Sequence, residues 1–147
     1  MAKLKFNAVL VICTGNICRS PTGERLLRRL LPALKVDSAG TYGLVGKTAD
    51  VTASQVAAGY GLSLEGHVAR KLTPALAREY DLILVMEPVH IEQVTAIAPQ
   101  ARGKTMLFGQ WTEAKEIPDP YRKSTEAFEH VYGLLERASQ EWAKRLS

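Results

Sequence analysis

The sequence predicts an α/β fold: an open, doubly wound parallel sheet of four strands flanked by helices, in a single domain over residues 1–147. Two observations carry this. Apolar runs of strand length alternate with stretches of helical period, which implies parallel pairing through right-handed crossovers. The runs Ala8-Val9-Leu10-Val11-Ile12 and Leu82-Ile83-Leu84-Val85-Met86 are continuously apolar, as expected of strands covered on both faces.

Taken in order, Ala8–Ile12 is the first strand, Gly15-Asn16 a tight turn, and Ser20-Pro21 the opening of a helix. Leu26, Leu27, Leu30 and Leu31 share one face of that helix, with Arg25, Arg28 and Arg29 away from it, and Pro32 marks its end. Lys35-Val36-Asp37-Ser38 reads as the second strand, leading to Ala39-Gly40. The glycine-spaced stretch 41–47 reads as an exposed loop able to approach a ligand. From Asp50 a helical pattern runs to about Tyr60, with Val51, Val56 and Ala57 as buried positions and Gly59 and Gly61 weakening its end. Thr73-Pro74 opens a short helix, and 81–86 is the third strand. A helix follows from Pro88 to about Ile97, then a fourth strand at 104–108. A long amphipathic helix spans 124–144, with Phe128, Val131, Leu134, Leu135 and Trp142 facing in.

The 147 residues, 46% hydrophobic and 23% charged, suit one sizeable core and show no linker, repeat or low-complexity tract. The net charge of +4 favours anionic ligands mildly. Basic residues are scattered among acidic ones with no aromatic-and-basic stripe, so nucleic acid is not an expected partner. No run reaches membrane-spanning length, and the apolar run after Lys3 and Lys5 stops at Cys13 with no small-residue cleavage site, which argues against a secretory signal. Both cysteines, Cys13 and Cys18, lie in one loop. That is no secreted disulfide framework, and a reducing cytoplasm is the expected location.

The chemistry concentrates between the first strand and first helix, at the strand's carboxyl end, where open parallel sheets bind ligands. A loop here turns the amides of Thr14, Gly15, Asn16, Ile17 and Cys18 inward and adds the unpaired donors of the helix's first turn, a natural cradle for a tetrahedral oxyanion. Cys13 lies at its floor as a nucleophile, since a thiol at a helix N-terminus beside a cation ionises readily. Arg19 supplies a planar fork for two phosphate oxygens. The Ser20 hydroxyl is a donor to the sulfur. The bland alternative is a buried structural cysteine beside an N-cap serine. No Gly-Lys-Ser/Thr closes the loop, so a Walker A nucleotide site is excluded.

Cys13-x5-Arg19-Ser20, with Gly15-Asn16 inside and Pro21 after, resembles the phosphate loop of the low-molecular-weight protein tyrosine phosphatases. The resemblance extends over nearly the whole chain. It implies that Asp119, in Ile117-Pro118-Asp119-Pro120-Tyr121, is the general acid, although an Asp-Pro pair alone usually marks a turn. It also matches Ser38-Ala39-Gly40 and the segment Gly66-His67-Val68-Ala69-Arg70, implying that Ser38 and His67 join Asn16 and Ser20 in holding the loop's shape. Leu44-Val45-Gly46-Lys47 and the run from Asp119 to Ser124 are most similar to the bacterial branch that works with exopolysaccharide or capsule tyrosine kinases. Animal members tend to carry an aromatic at the position of Leu44 and a second tyrosine where Arg122 stands. Leu44, Tyr121 and Tyr42 are therefore the expected pocket wall.

The implied reaction is two-step hydrolysis of phosphotyrosine through a phosphocysteine, with no metal and no other cofactor. Cys13 attacks phosphorus, Arg19 and the loop amides hold its oxygens, and Asp119 protonates the phenolate and then activates water. A bell-shaped pH dependence is expected. The implied substrate is a phosphotyrosyl protein, specifically a membrane-bound bacterial tyrosine kinase tied to polysaccharide export. Cys18 has two open roles, packing below the loop or trapping oxidised Cys13 as a disulfide. Two rivals remain. An arsenate reductase would need further cysteines downstream, and none follows Cys18. A phosphotyrosine-binding module would need neither a nucleophile nor an acid.

Overall fold

β1 (Ala8–Cys13) is buried at every position and is the strand around which the others assemble. In the computed structural model, which describes residues 6–146, it pairs in parallel with β2 (Lys35–Gly40) on one side and β3 (Leu82–Val85) on the other. β4 (Thr105–Leu107) pairs in parallel with β3, giving the order β2-β1-β3-β4. The chain leaves β1 toward β2 and returns to add β3 on the opposite edge, so the carboxyl end of β1 is the topological switch point. Lys3 and Lys5 lie outside the described residues.

Side-chain alternation along β1 divides the core in two. Val9, Val11 and Cys13 face a layer built by α1 (Arg19–Leu30), α2 (Val51–Gly59) and α5 (Thr125–Leu146). Ala8, Leu10 and Ile12 face α3 (Pro74–Arg78), α4 (Pro88–Ile97) and a 3-10 helix at Pro99–Lys104. Helices thus cover both faces of an all-parallel sheet, which is why β1 and β3 carry no polar residue. Local signals fix several helix starts. Asp50 Oδ2 accepts from the Ala53 amide at 3.0 Å, and Thr73 Oγ1 accepts from the Leu76 amide at 3.0 Å with Pro74 following in the first turn.

Two expected core positions are corrected. Leu30 is 41% exposed. It is the last residue of α1, and Leu31 leaves helical geometry (φ −132°, ψ 68°) and turns inward in its place. Val51 is 69% exposed, because it is the first residue after the Asp50 cap and α2 buries Ala53, Val56 and Ala57 instead. The expected fourth strand is shortened to three residues, its start having been taken by the 3-10 helix. Among the described residues, no helix is long and apolar enough to cross a membrane.

Candidate active site

From the end of β1 to the start of α1, the loop's carbonyls all turn away from its interior, five to neighbouring segments and that of Cys18 into α1 itself. The Cys13, Thr14 and Gly15 carbonyls accept from the amides of Thr41 (3.0 Å), Tyr42 (3.0 Å) and Leu44 (3.0 Å). The Asn16 carbonyl meets His67 Nε2 at 2.6 Å, the Ile17 carbonyl takes the Asp50 amide at 2.8 Å, and the Cys18 carbonyl takes the Thr22 hydroxyl at 2.9 Å. In a trans peptide the N–H points opposite to its C=O. Six outward carbonyls therefore turn the amides of residues 14 to 19 to the other side, away from any protein acceptor among the described residues. No side chain caps α1 either, leaving its first-turn donors for an anion.

The segment after β2 reaches this loop only because Gly40 has no side chain. A Cβ there would fall on the Thr14 carbonyl oxygen, far inside contact distance. Asn16 holds the loop from within. Its backbone is left-handed (φ 60°), a conformation that asparagine tolerates better than most residues. Its Nδ2 donates to Ser20 Oγ at 2.8 Å and Ser38 Oγ at 2.9 Å, and its Oδ1 accepts from the Arg70 amide at 3.0 Å. Ser38 Oγ in turn donates to the buried Glu24 carboxylate at 2.8 Å. Because Ser20 Oγ accepts from Asn16, its own proton is available for Cys13 Sγ, 2.9 Å away. The chain of donors thus ends on the sulfur.

Arg19 is 2% exposed, and its Nη1 is doubly held. It donates to Glu87 Oε1, at the start of α4, and to the Ile117 carbonyl at 2.7 Å. Its Nη2 lies 3.8 Å from Asp119 Oδ2. Asp119 is aimed by its own turn, in which Oδ1 accepts from the Tyr121 amide at 3.0 Å.

These groups meet in one cleft of about 290 Å³. Cys13, Thr14, Gly15, Ile17, Cys18 and Arg19 form its floor and side, and Tyr42, Leu44, Asp119 and Tyr121 its rim. Asn16 and Ser20 are fully buried and serve beneath the loop rather than on the wall, together with Ser38 and His67. Tyr42 and Tyr121 are 63% and 39% exposed, placing aromatic faces beside the opening. Cys18 is buried against Thr22, Val56, Phe128 and Tyr132, and burial with nearby Asp50 pushes its thiol well up. Sequence reasoning missed Glu24, Arg70 and Glu87. Two carried a signal: Glu87 directly follows the β3 run, at the ligand-binding end of the sheet, and Arg70 closes the matched segment around His67 without a role having been given to it.

An anion cradle at the switch point of a parallel sheet, holding a buried thiol and an arginine and faced by a carboxylate, is the architecture of an α/β phosphatase. The chain belongs to the low molecular weight phosphotyrosine protein phosphatase family, which matches residues 8–147, and is a protein-tyrosine-phosphatase. It is 74% identical over 147 residues to the low molecular weight protein-tyrosine-phosphatase Etp of Escherichia coli K12, covering 100% of this chain and 99% of the relative. It is 61% identical over 142 residues to Wzb of the same strain, covering 97% of each chain. The crystal structure of the tyrosine phosphatase Wzb from Escherichia coli K30 in complex with sulphate superposes with a TM-score of 0.95 at 64% identity, covering 97% of this chain and 99% of that one.

Proposed function

We propose that the whole chain, residues 1–147, is one catalytic unit that hydrolyses phosphotyrosine in two steps through a phosphocysteine on Cys13. The observation that carries this is the set of six outward-tethered carbonyls, which leaves a ring of amides around Cys13 and Arg19. Three equatorial oxygens of a phosphoryl group in attack geometry match that ring plus the Arg19 fork. The thiolate attacks in line while Asp119, across the cleft, protonates the leaving phenolate. Asp119 then removes a proton from water, which attacks the phosphocysteine and releases phosphate. The reaction uses no metal and no cofactor. Tyr42, Leu44 and Tyr121 grip the tyrosine ring, and the amides of Thr14 to Cys18 grip its phosphate.

The substrate is a phosphotyrosyl protein in the cytoplasm, and by likeness to Etp and Wzb a membrane-bound tyrosine kinase that governs capsule or exopolysaccharide export. Phosphate release from matched phosphotyrosyl and phosphoseryl peptides in EDTA tests the reaction. Tyrosine-selective turnover, abolished in Cys13→Ser and sharply reduced in Asp119→Ala, is expected. A rate that EDTA abolishes, or a folded protein that binds phosphotyrosine without releasing phosphate, overturns it.

A further inference from the structure

One buried group belongs neither to the network under Cys13 nor to the Arg19 clamp, yet bridges Thr14 of the loop and Glu87 of the clamp. His90, in the first turn of α4, is 1% exposed. Its Nδ1 lies 3.1 Å from the backbone nitrogen of Glu87, the residue whose carboxylate anchors Arg19. Its Nε2 lies 2.9 Å from Thr14 Oγ1.

The two contacts fix each proton. An amide N–H only donates, so Nδ1 holds a lone pair, and a neutral ring then carries its hydrogen on Nε2. Burial first, then the Arg19 charge, push the imidazole down to about 4 against the opposing pull of Glu87 and Asp119, so the ring is neutral at pH 7. The Nε2–H therefore donates and Thr14 Oγ1 accepts. Thr14's own hydroxyl hydrogen is left over. Thr14 lines the cleft between Cys13 and Gly15, and among the described residues its hydroxyl has no other partner.

We propose that His90 is a positioning residue that turns the Thr14 hydroxyl into a hydrogen-bond donor for the phosphoryl group in the cleft. Thr14 is then a binding residue through its side chain as well as its amide, and His90 acts through it. The relay rests on the reading of the loop as the phosphate site. Its effect is electrostatic: the donor adds to the amide ring where negative charge gathers on the phosphoryl oxygens, and His90 prevents the hydroxyl from rotating its lone pair toward them.

The test measures kcat, KM and the inhibition constant of inorganic phosphate for wild type, Thr14→Val, Thr14→Ser, His90→Phe and the Thr14→Val/His90→Phe pair. Protection of Cys13 from iodoacetate by phosphate is followed alongside. Thr14→Val, nearly isosteric, is expected to weaken phosphate about tenfold and lower kcat/KM at least as much, by loss of one hydrogen bond to a charged group. Thr14→Ser keeps the donor and stays within about twofold of wild type. In the Thr14→Val background, His90→Phe loses most of the effect it has in wild type, because the relay is already cut. Thr14→Val indistinguishable from Thr14→Ser, or His90→Phe acting by the same factor in both backgrounds, overturns the relay. If His90→Phe does not fold, the valine and serine variants decide alone. Failure of phosphate to protect Cys13 in wild type refutes the loop reading itself, and intact protection with an unaffected Thr14→Val refutes only the relay.

Discussion

The same imidazole makes the fold sensitive to acid, by an amount its environment sets. In the folded chain burial, and then the Arg19 charge, push the His90 imidazole down to about 4, against an ordinary value of 6.5. Between those values the unfolded chain binds a proton that the folded chain refuses, so stability falls as pH falls through that window. The contribution is complete above pH 6.5, declines below it, and is lost by the time pH reaches about 4. The gap corresponds to about 3 kcal/mol, and since His90 is 1% exposed, solvent screening reduces it little. Protonation adds a hydrogen to Nδ1, where the Glu87 amide already points one, and places a cation beside buried Arg19. Urea unfolding of wild type and His90→Phe at pH 7, 6, 5 and 4 isolates the effect, because every carboxylate titrates in both proteins and cancels. Wild type should lose about 3 kcal/mol relative to the variant between pH 7 and 4. A difference that stays constant to within about 0.5 kcal/mol would show that His90 takes up its proton without hindrance in the fold, and the assignment of Nδ1 as an acceptor would fail.

Other parts of the site make separate demands. Asp119→Asn should lower kcat/KM, which reports only transfer to Cys13 and not the later hydrolysis that also uses Asp119, by about 10²- to 10⁴-fold on phosphotyrosine and much less on p-nitrophenyl phosphate, whose leaving group needs no proton; equal losses of kcat/KM on both substrates would remove Asp119 from the acid role. Asn16→Ala deletes side-chain bonds of 2.8, 2.9 and 3.0 Å and puts alanine at φ 60°. A loss of about 3 kcal/mol in urea unfolding is expected, and less than about 1 kcal/mol would mean the network does not hold the loop. Gly40→Ala drives a Cβ onto the Thr14 carbonyl, whereas Gly46→Ala, at φ 87° with open space around it, meets only backbone strain. Activity should therefore vanish in the first and survive in the second with a stability loss of about 1 kcal/mol; comparable activities would show that β2 does not shape the loop.

What the sequence made legible follows from the range over which its signals act. The strand–loop–helix order around Cys13 was readable because apolar runs, turn residues and the Ser20-Pro21 helix start are neighbours in the chain. The sheet's parallel pairing was readable because β1 and β3 are uniformly apolar. Leu30 and Val51 were misplaced because helical period says nothing of where a helix ends against its layer. The partners of Glu24 and Glu87 were invisible for another reason. Ser38 lies 14 residues from Glu24, and Arg19 lies 68 from Glu87. Only the order β2-β1-β3 brings them together, and before folding each is one glutamate among many.

The anchoring of Arg19 explains why a buried charge is kept here at all. A buried ion pair contributes little net stability, because the desolvation of both partners offsets their attraction. Its value lies in direction. Glu87 and the Ile117 carbonyl both take Nη1, on the side of the guanidinium away from its other donors. Among the described residues that leaves Nε and Nη2, the edge that matches two phosphate oxygens, without a close acceptor, since Asp119 Oδ2 stands at 3.8 Å and beyond hydrogen-bond length. A flexible arginine would lose side-chain entropy on gripping phosphate, whereas this one has already lost it in folding. The two anchors come from the carboxyl ends of β3 and of the segment leading to Asp119, so the same backbone that places the acid also aims the clamp.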